Sequence, residues 1–137
     1  MEREVLVEMY EKYNLEPKDV FKHQHYIIIT RSGIEKIQAK EDIEIQYEIV
    51  KCEPSFAAVK ASARKQDDSG KFADDYVEFQ TFGSALKGAT HKDGNCNTWY
   101  VLEMAEKRAM SRAVLKITGL YEMGVFGQDE SEDFKRN

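Results

Sequence analysis

Cysteine, proline and histidine are all scarce in this chain, with two, two and three copies among 137 residues. Each shortage excludes something. Cys52 and Cys96, with no secretion pattern ahead of them, do not make a disulfide framework and read as two reduced, small apolar side chains. His23 and His25 flank Gln24 at strand spacing and His91 sits in a polar segment, while no CxxC pair and no HExxH occur. Neither a metal site nor any other cofactor is therefore expected. No apolar run comes near the roughly 20 residues a membrane span needs. The opening "MEREVLVEMY" carries acid early and lacks a signal-peptide pattern, so a cytoplasmic protein with no membrane segment is expected.

What is present suits one ordered domain. Apolar residues make up 42% of the chain, enough for a real core, and charged residues 33%. Residues 1–127 read as a single domain and residues 128–137 as an acidic, flexible tail. The formal charge of -5 argues against a protein that simply coats DNA, yet the charge is uneven. Residues 1–20 hold six acids against three bases, and the end carries "DESED", Asp129 to Asp133. Between Ala57 and Lys71 the bases Lys60, Arg64, Lys65 and Lys71 face only Asp67 and Asp68. A polyanion responds to local potential, so the mean does not decide the matter.

Periodicity gives the elements. Val5, Met9 and Tyr13 recur four apart, with Leu6 and Tyr10 beside them, which predicts an amphipathic helix over 2–13 that Pro17 ends. "HYIIIT" reads as a buried strand, followed by a short helix capped by Thr30 or Ser32, with Ile34 and Ile37 facing inward. Three alternating stretches follow, Ile43–Val50, Phe56–Lys65 and Asp75–Ala85, the last two joined by the turn "DDSG". A polar, glycine-containing loop over 87–97 leads to a long helix over 97–119, with Asn97 or Thr98 as cap and Gly119 as stop. The fold class is α+β: a curved antiparallel sheet of β-β-β-α type with the long helix packed on one face.

That helix poses the functional question. Arg108, Arg112 and Lys116 recur every fourth residue, and from Lys107 to Lys116 there are four bases and no acid. At 100° per residue, Leu102, Ala109, Met110, Ala113, Val114 and Ile117 share the arc meant for the sheet, while the cations form a separate ridge about 80° wide. Small Ala105 and Ala109 beside it would let a ligand or a second subunit come close. Lys60 and Arg64 add bases at alternating strand positions. Cations that track a backbone, near aromatics that stack bases, are the usual means of holding a single nucleic-acid strand. Tyr76, Phe79, Phe82, Trp99 and Tyr100 are read first as core and only second as stacking surfaces.

The order of elements, together with "AEKRAMSRAVLKITG", resembles the Rad-fifty-two-type single-strand annealing superfamily, which includes short phage recombination proteins. The likeness runs from about Tyr26 to Gly119. It implies a β-β-β-α core assembled into rings or filaments, holding single-stranded DNA in a basic groove and annealing complementary strands without ATP. "HYIIITRSGIEKI" resembles the family's strand-to-helix junction, which implies a backbone contact for Arg31. "RAVLKITGLY" resembles the end of its long helix, which implies groove-lining roles for Arg112 and Lys116, although Ser111–Arg112 stands where the family often has adjacent bases. "TFGSALKG" sits where the family has a glycine-containing turn leaving the third strand. "GVFGQDESED" resembles the acidic endings of phage recombination proteins and could dock a protein partner or simply solvate the terminus.

The leading expectation is thus a non-enzymatic, homo-oligomeric single-stranded DNA-binding and annealing protein. Its DNA contacts would be Arg31, Lys60, Arg64, Lys107, Arg108, Arg112 and Lys116. Catalysis finds no Gly-rich phosphate loop, nucleophile elbow or clustered histidines. The alternative is an oligomeric adaptor or regulator that binds no nucleic acid, with the ridge as a subunit interface.

Overall fold

The computed structural model describes residues 2–23, 26–66, 76–88 and 93–128. Helix α1 is Glu2–Tyr13, and a 3-10 turn at Pro17–Asp19 leads into β1, Val20–His23, and β2, Tyr26–Ile29. Helix α2, Arg31–Lys40, follows, then β3 (Glu44–Glu53), β4 (Phe56–Gln66) and β5 (Tyr76–Leu86). Helix α3 is Val101–Ile117, and a second 3-10 turn, Tyr121–Met123, precedes β6, Val125–Gly127. The α+β class stands, with the long helix against a sheet. The "DDSG" turn, His25, His91 and the "DESED" segment lie outside the described residues.

Among the described residues there are two three-stranded sheets, where the sequence suggested one. The larger is β3-β4-β5, antiparallel throughout; the smaller is β1-β2-β6, with β6 parallel to β2. In the smaller sheet β2 is central, and Ile27, Ile28 and Ile29 are all fully buried because both its faces are covered. That explains an unbroken apolar run in place of alternation.

Helix α3 lies between the two sheets. Its contacts go to β4 and β5 on one side and to β6 and α2 on the other. Ala105, Ala109 and Ala113 are fully buried. Their shortness lets the helix approach β5 closely, and Gly83 completes the fit. A Cβ on Gly83 would collide with the Ala105 carbonyl and the Ala109 amide. Beside it, Thr81 Oγ1 donates to the Ala109 carbonyl at 2.8 Å. The small residues beside the cations thus accommodate the protein's own strand rather than a ligand. Gly83 also lies within β5 and not in a turn leaving it. The helix starts at Val101, later than Asn97, with Thr98 Oγ1 accepting from the Tyr100 amide just before it. Gly119 ends it at φ 78, the left-handed region in which glycine carries no Cβ penalty.

Two carboxylates tie the helices down. Glu41, at the end of α2, accepts from Tyr13 of α1 (2.8 Å) and from Lys65 of β4 (2.9 Å) and pairs with Lys12 of α1 (2.9 Å). Burial alone would push its carboxyl up, but these three partners outweigh burial and hold it at about 2. The same burial, with the Glu41 charge, pushes the Tyr13 phenol up. Asp19 is wholly buried and accepts from the Glu16 amide, Ser32 and Lys36. Here too burial is outweighed, and the carboxyl is held at about 2. Ser32 therefore serves Asp19, and neither it nor Thr30 makes a side-chain cap on α2.

Candidate nucleic-acid interface

The cationic ridge of α3 is not a uniform solvated row. Its two arginines lie along the outer edge of β5, and only Lys116 is exposed. Arg108 is only 6% exposed; one of its terminal nitrogens donates to the Ser84 carbonyl at 2.7 Å and the other to the Asn95 carbonyl at 2.6 Å. Arg112, half-buried, donates to the Phe82 carbonyl at 2.7 Å. Asn95 adds its side chain, whose Oδ1 accepts from the Leu86 amide at 2.7 Å, and the Cys96 amide donates to the Leu86 carbonyl at 3.1 Å. Phe82, Ser84 and Leu86 are alternate residues, so their backbone groups point to the same side of the strand. An edge strand with unpaired carbonyls invites a foreign strand. Here two guanidinium groups and a loop occupy that edge.

This corrects the reading of Arg108 as a phosphate contact: it is buried and its fork is spent on two main-chain carbonyls. Arg112 holds the β5 edge in the same way. Lys116 is exposed, with Nζ 5.7 Å from the centre of the Tyr121 ring, and Lys107 is half-buried on α3. Arg31 opens α2 and its Nε donates to Glu35 at 3.0 Å.

Lys60 and Arg64 stand elsewhere. In β4 the odd residues Ala57, Val59, Ala61 and Ala63 are buried beneath α3, and the even residues point the other way. The sheet therefore separates Lys60 and Arg64 from the α3 cations, and the two sets share no groove. Among the described residues no helix lies over the opposite face. Phe82 is 56% exposed there, Tyr76 and Leu86 are exposed, and Phe56 is half-buried. Lys60 pairs across the ladder with Glu48 on one side and Phe82 on the other. The Arg64 guanidinium lies 3.8 Å from the centre of the Tyr76 ring, and its Nε is 3.5 Å from Glu78. A flat guanidinium on an aromatic face is both a stacking and a cation–π contact.

Beyond the Leu86 end of β5 stand Trp99 and Tyr100, 68% and 69% exposed, with Lys87 Nζ 4.9 Å from the centre of the indole. The expectation that Tyr76, Phe79, Phe82, Trp99 and Tyr100 are core is overturned, since all five are exposed. The reason is the small-residue lining under α3. Ala57, Val59, Ala61, Thr81, Gly83 and Ala85 leave no room for rings between helix and sheet. Tyr76 and Phe82 share one strand face with Glu78 and Gln80, a mixture that itself marks a solvated face.

The open face is electrically divided. Glu44, Glu48 and Glu53 line its β3 side together with Lys51, which pairs with Glu53 at 3.3 Å, while Lys60 and Arg64 run along β4 and Glu78 faces Arg64 from β5. The β4 row is the part of this face most favourable to an anion. On the α3 side, β3 extends past the width of the helix. Ile49 is 58% exposed there, and Tyr47 and Val50 are exposed as well. Burial, with the Glu106 charge, pushes the Tyr47 phenol up against the opposing pull of Arg31, which places both charges near that edge.

Among the described residues no group of three or more His, Cys, Asp or Glu side chains could hold a metal ion, and no helix is long and apolar enough to cross a membrane. Cys52 is exposed and Cys96 buried, both unpaired as thiols. Searches against protein-family models, curated proteins and solved structures return no significant match.

Proposed function

We propose that this protein binds single-stranded DNA and anneals complementary strands without ATP, acting as a homo-oligomer in phage-type recombination and performing no covalent chemistry. The observation that carries the reading is the set of exposed aromatic rings with cations against them, Arg64 on Tyr76 and Lys87 on Trp99. Rings in a folded domain are held out of the core at a cost of about 1.5–3 kcal/mol each in forgone burial. Sequence-tolerant stacking on bases returns energy of that order.

In this reading the strand follows the β4–β5 half of the open face. Lys60 and Arg64 meet phosphates, while Phe82, Tyr76 and, past the end of β5, Trp99 and Tyr100 offer faces to bases. Arg31, Lys107 and Lys116 lie across the sheet and take no part in this path. The resemblance to the annealing superfamily supplies the function class, and the β-β-β-α order of the larger sheet and α3 is consistent with it.

The uncovered apolar edge of β3 favours self-association. Exposed Ile49, Tyr47 and Val50 would be protected by a neighbouring subunit. It is equally the feature an oligomeric adaptor would use. Native mass spectrometry with and without a 30-nucleotide single strand separates the two. The proposal expects multimers that take up the strand; multimers that ignore it would establish the adaptor.

A further inference from the structure

Two consecutive rungs cross the open face of the larger sheet. Glu44, Arg64 and Glu78 form one, and Gln46, Ser62 and Gln80 the next. Serine is the shortest of these side chains and stands in the middle of its rung. Two long amides therefore flank a low floor, and a hollow of about 230 Å³ opens over it. With neighbouring strands about 4.8 Å apart, the backbones carrying Gln46 and Gln80 are roughly 10 Å apart. Both amides can reach a flat ring lying between them.

We infer that this hollow receives one nucleobase of the bound strand, lying over Ser62 with its hydrogen-bonding edges toward Gln46 and Gln80. The inference rests on reading the open face as a nucleic-acid surface. The ligand is a base and not a phosphate, because the rung beneath it, Gln46, Ser62 and Gln80, is uncharged and offers an anion no counter-charge. The flanking carboxylates Glu44 and Glu78 repel a phosphate sinking to that floor, while the half-exposed Arg64 side chain meets one passing above it. A neutral ring meets no such repulsion. Each side-chain amide carries both a donor pair and an acceptor, so the two can turn to match any base edge. Such a site holds bases without selecting among them, which suits a protein that must accept any sequence. The next rung, Glu48, Lys60 and Phe82, sets a cation and an exposed ring beside the hollow for the adjoining phosphate and base. One base per subunit is seated in the hollow, and the adjoining one lies on Phe82.

The test compares two fluorescently labelled probes, a thymidine oligonucleotide and an abasic strand of equal length, by anisotropy. Ser62→Leu fills the hollow from a half-exposed position on the open face. It is expected to weaken binding of the intact strand about tenfold, within the range for one stacked base, and to leave the abasic strand unchanged. Gln46→Leu with Gln80→Leu should give the same pattern without filling the hollow, and it decides the matter should the leucine at position 62 prevent folding. Unchanged affinity for the intact strand in these variants overturns the base site, and so does equal weakening on both probes. Failure of the wild-type protein to bind either probe instead overturns the nucleic-acid reading, and the base site falls with it.

Discussion

Arg108 and Ser84 are joined by a 2.7 Å hydrogen bond from a guanidinium nitrogen to a carbonyl on the outer edge of β5. The contact converts what looks in sequence like part of a DNA-binding ridge into a seal on a sheet edge. The second terminal nitrogen of Arg108 reaches Asn95, so one side chain fixes helix, strand and loop together.

Replacing Arg108 by methionine keeps much of the packing but removes a buried guanidinium's bonds to two half-buried carbonyls, leaving that of Asn95 without this donor and that of Ser84 with the weaker Asn95 side-chain amide at 3.4 Å. The two lost charge-assisted bonds together should cost about 3 kcal/mol, read from urea unfolding. Oligonucleotide affinity of the folded fraction should stay at the wild-type level. A stability change below about 0.5 kcal/mol would mean the guanidinium is not structural.

Gly83→Val should be worse tolerated than most strand substitutions to valine. The new side chain meets the backbone of α3 at Ala105 and Ala109, which cannot rotate away. Destabilisation of more than about 2 kcal/mol is expected. A thermal melt matching wild type would show that α3 does not sit down on β5.

Acid should unfold the protein through Asp19 and Glu41. Their carboxyls sit at about 2 in the folded chain, below the ordinary 3.8 and 4.5. The stabilisation from a depressed carboxyl is complete above the unfolded value and disappears as pH falls through the folded one. Stability should therefore hold above about pH 5 and fall between there and pH 2, each group contributing on the order of 2–3 kcal/mol. Glu41→Gln should lower stability at neutral pH and flatten the acid limb. An acid limb identical to wild type would remove Glu41 from this role.

Trp99 is the chain's single tryptophan and is largely exposed, so its fluorescence reports on one known place. In the free protein its emission should be red-shifted and readily quenched by acrylamide. Adding a thymidine oligonucleotide should quench the emission and shield it from acrylamide, and Trp99→Ala should cost about 1–3 kcal/mol of binding. Saturating the protein with no change at Trp99 would take the indole out of the path.

Much of the fold can be read from the sequence because the signals are long. The 2–13 helix, the inward Ile34 and Ile37, and the three alternating strands need only their own periodicity. β1 and β6 have four and three residues, too few to show a period, and the second sheet exists only because distant segments meet β2. The site was harder for a related reason. A cation at spacing four has the same sequence signature whether it faces water or a carbonyl. The partners of Arg108 are 24 and 13 residues away, and nothing local announces them. The placement of Lys60 and Arg64 was recoverable, since alternation with alanines fixes which face they share. What alternation cannot tell is which face the helix covers, and that choice separates them from Arg112 and Lys116.

The salt dependence of oligonucleotide binding, measured for two double variants, tests the central claim most directly. On a single strand the slope of log K against log salt is about -0.7 per neutralised phosphate. Lys60→Ala with Arg64→Ala should flatten the slope by about 1.4, while Arg112→Ala with Lys116→Ala leaves it unchanged. The reverse result, with the slope lost through α3 and kept without Lys60 and Arg64, would contradict the open-face account.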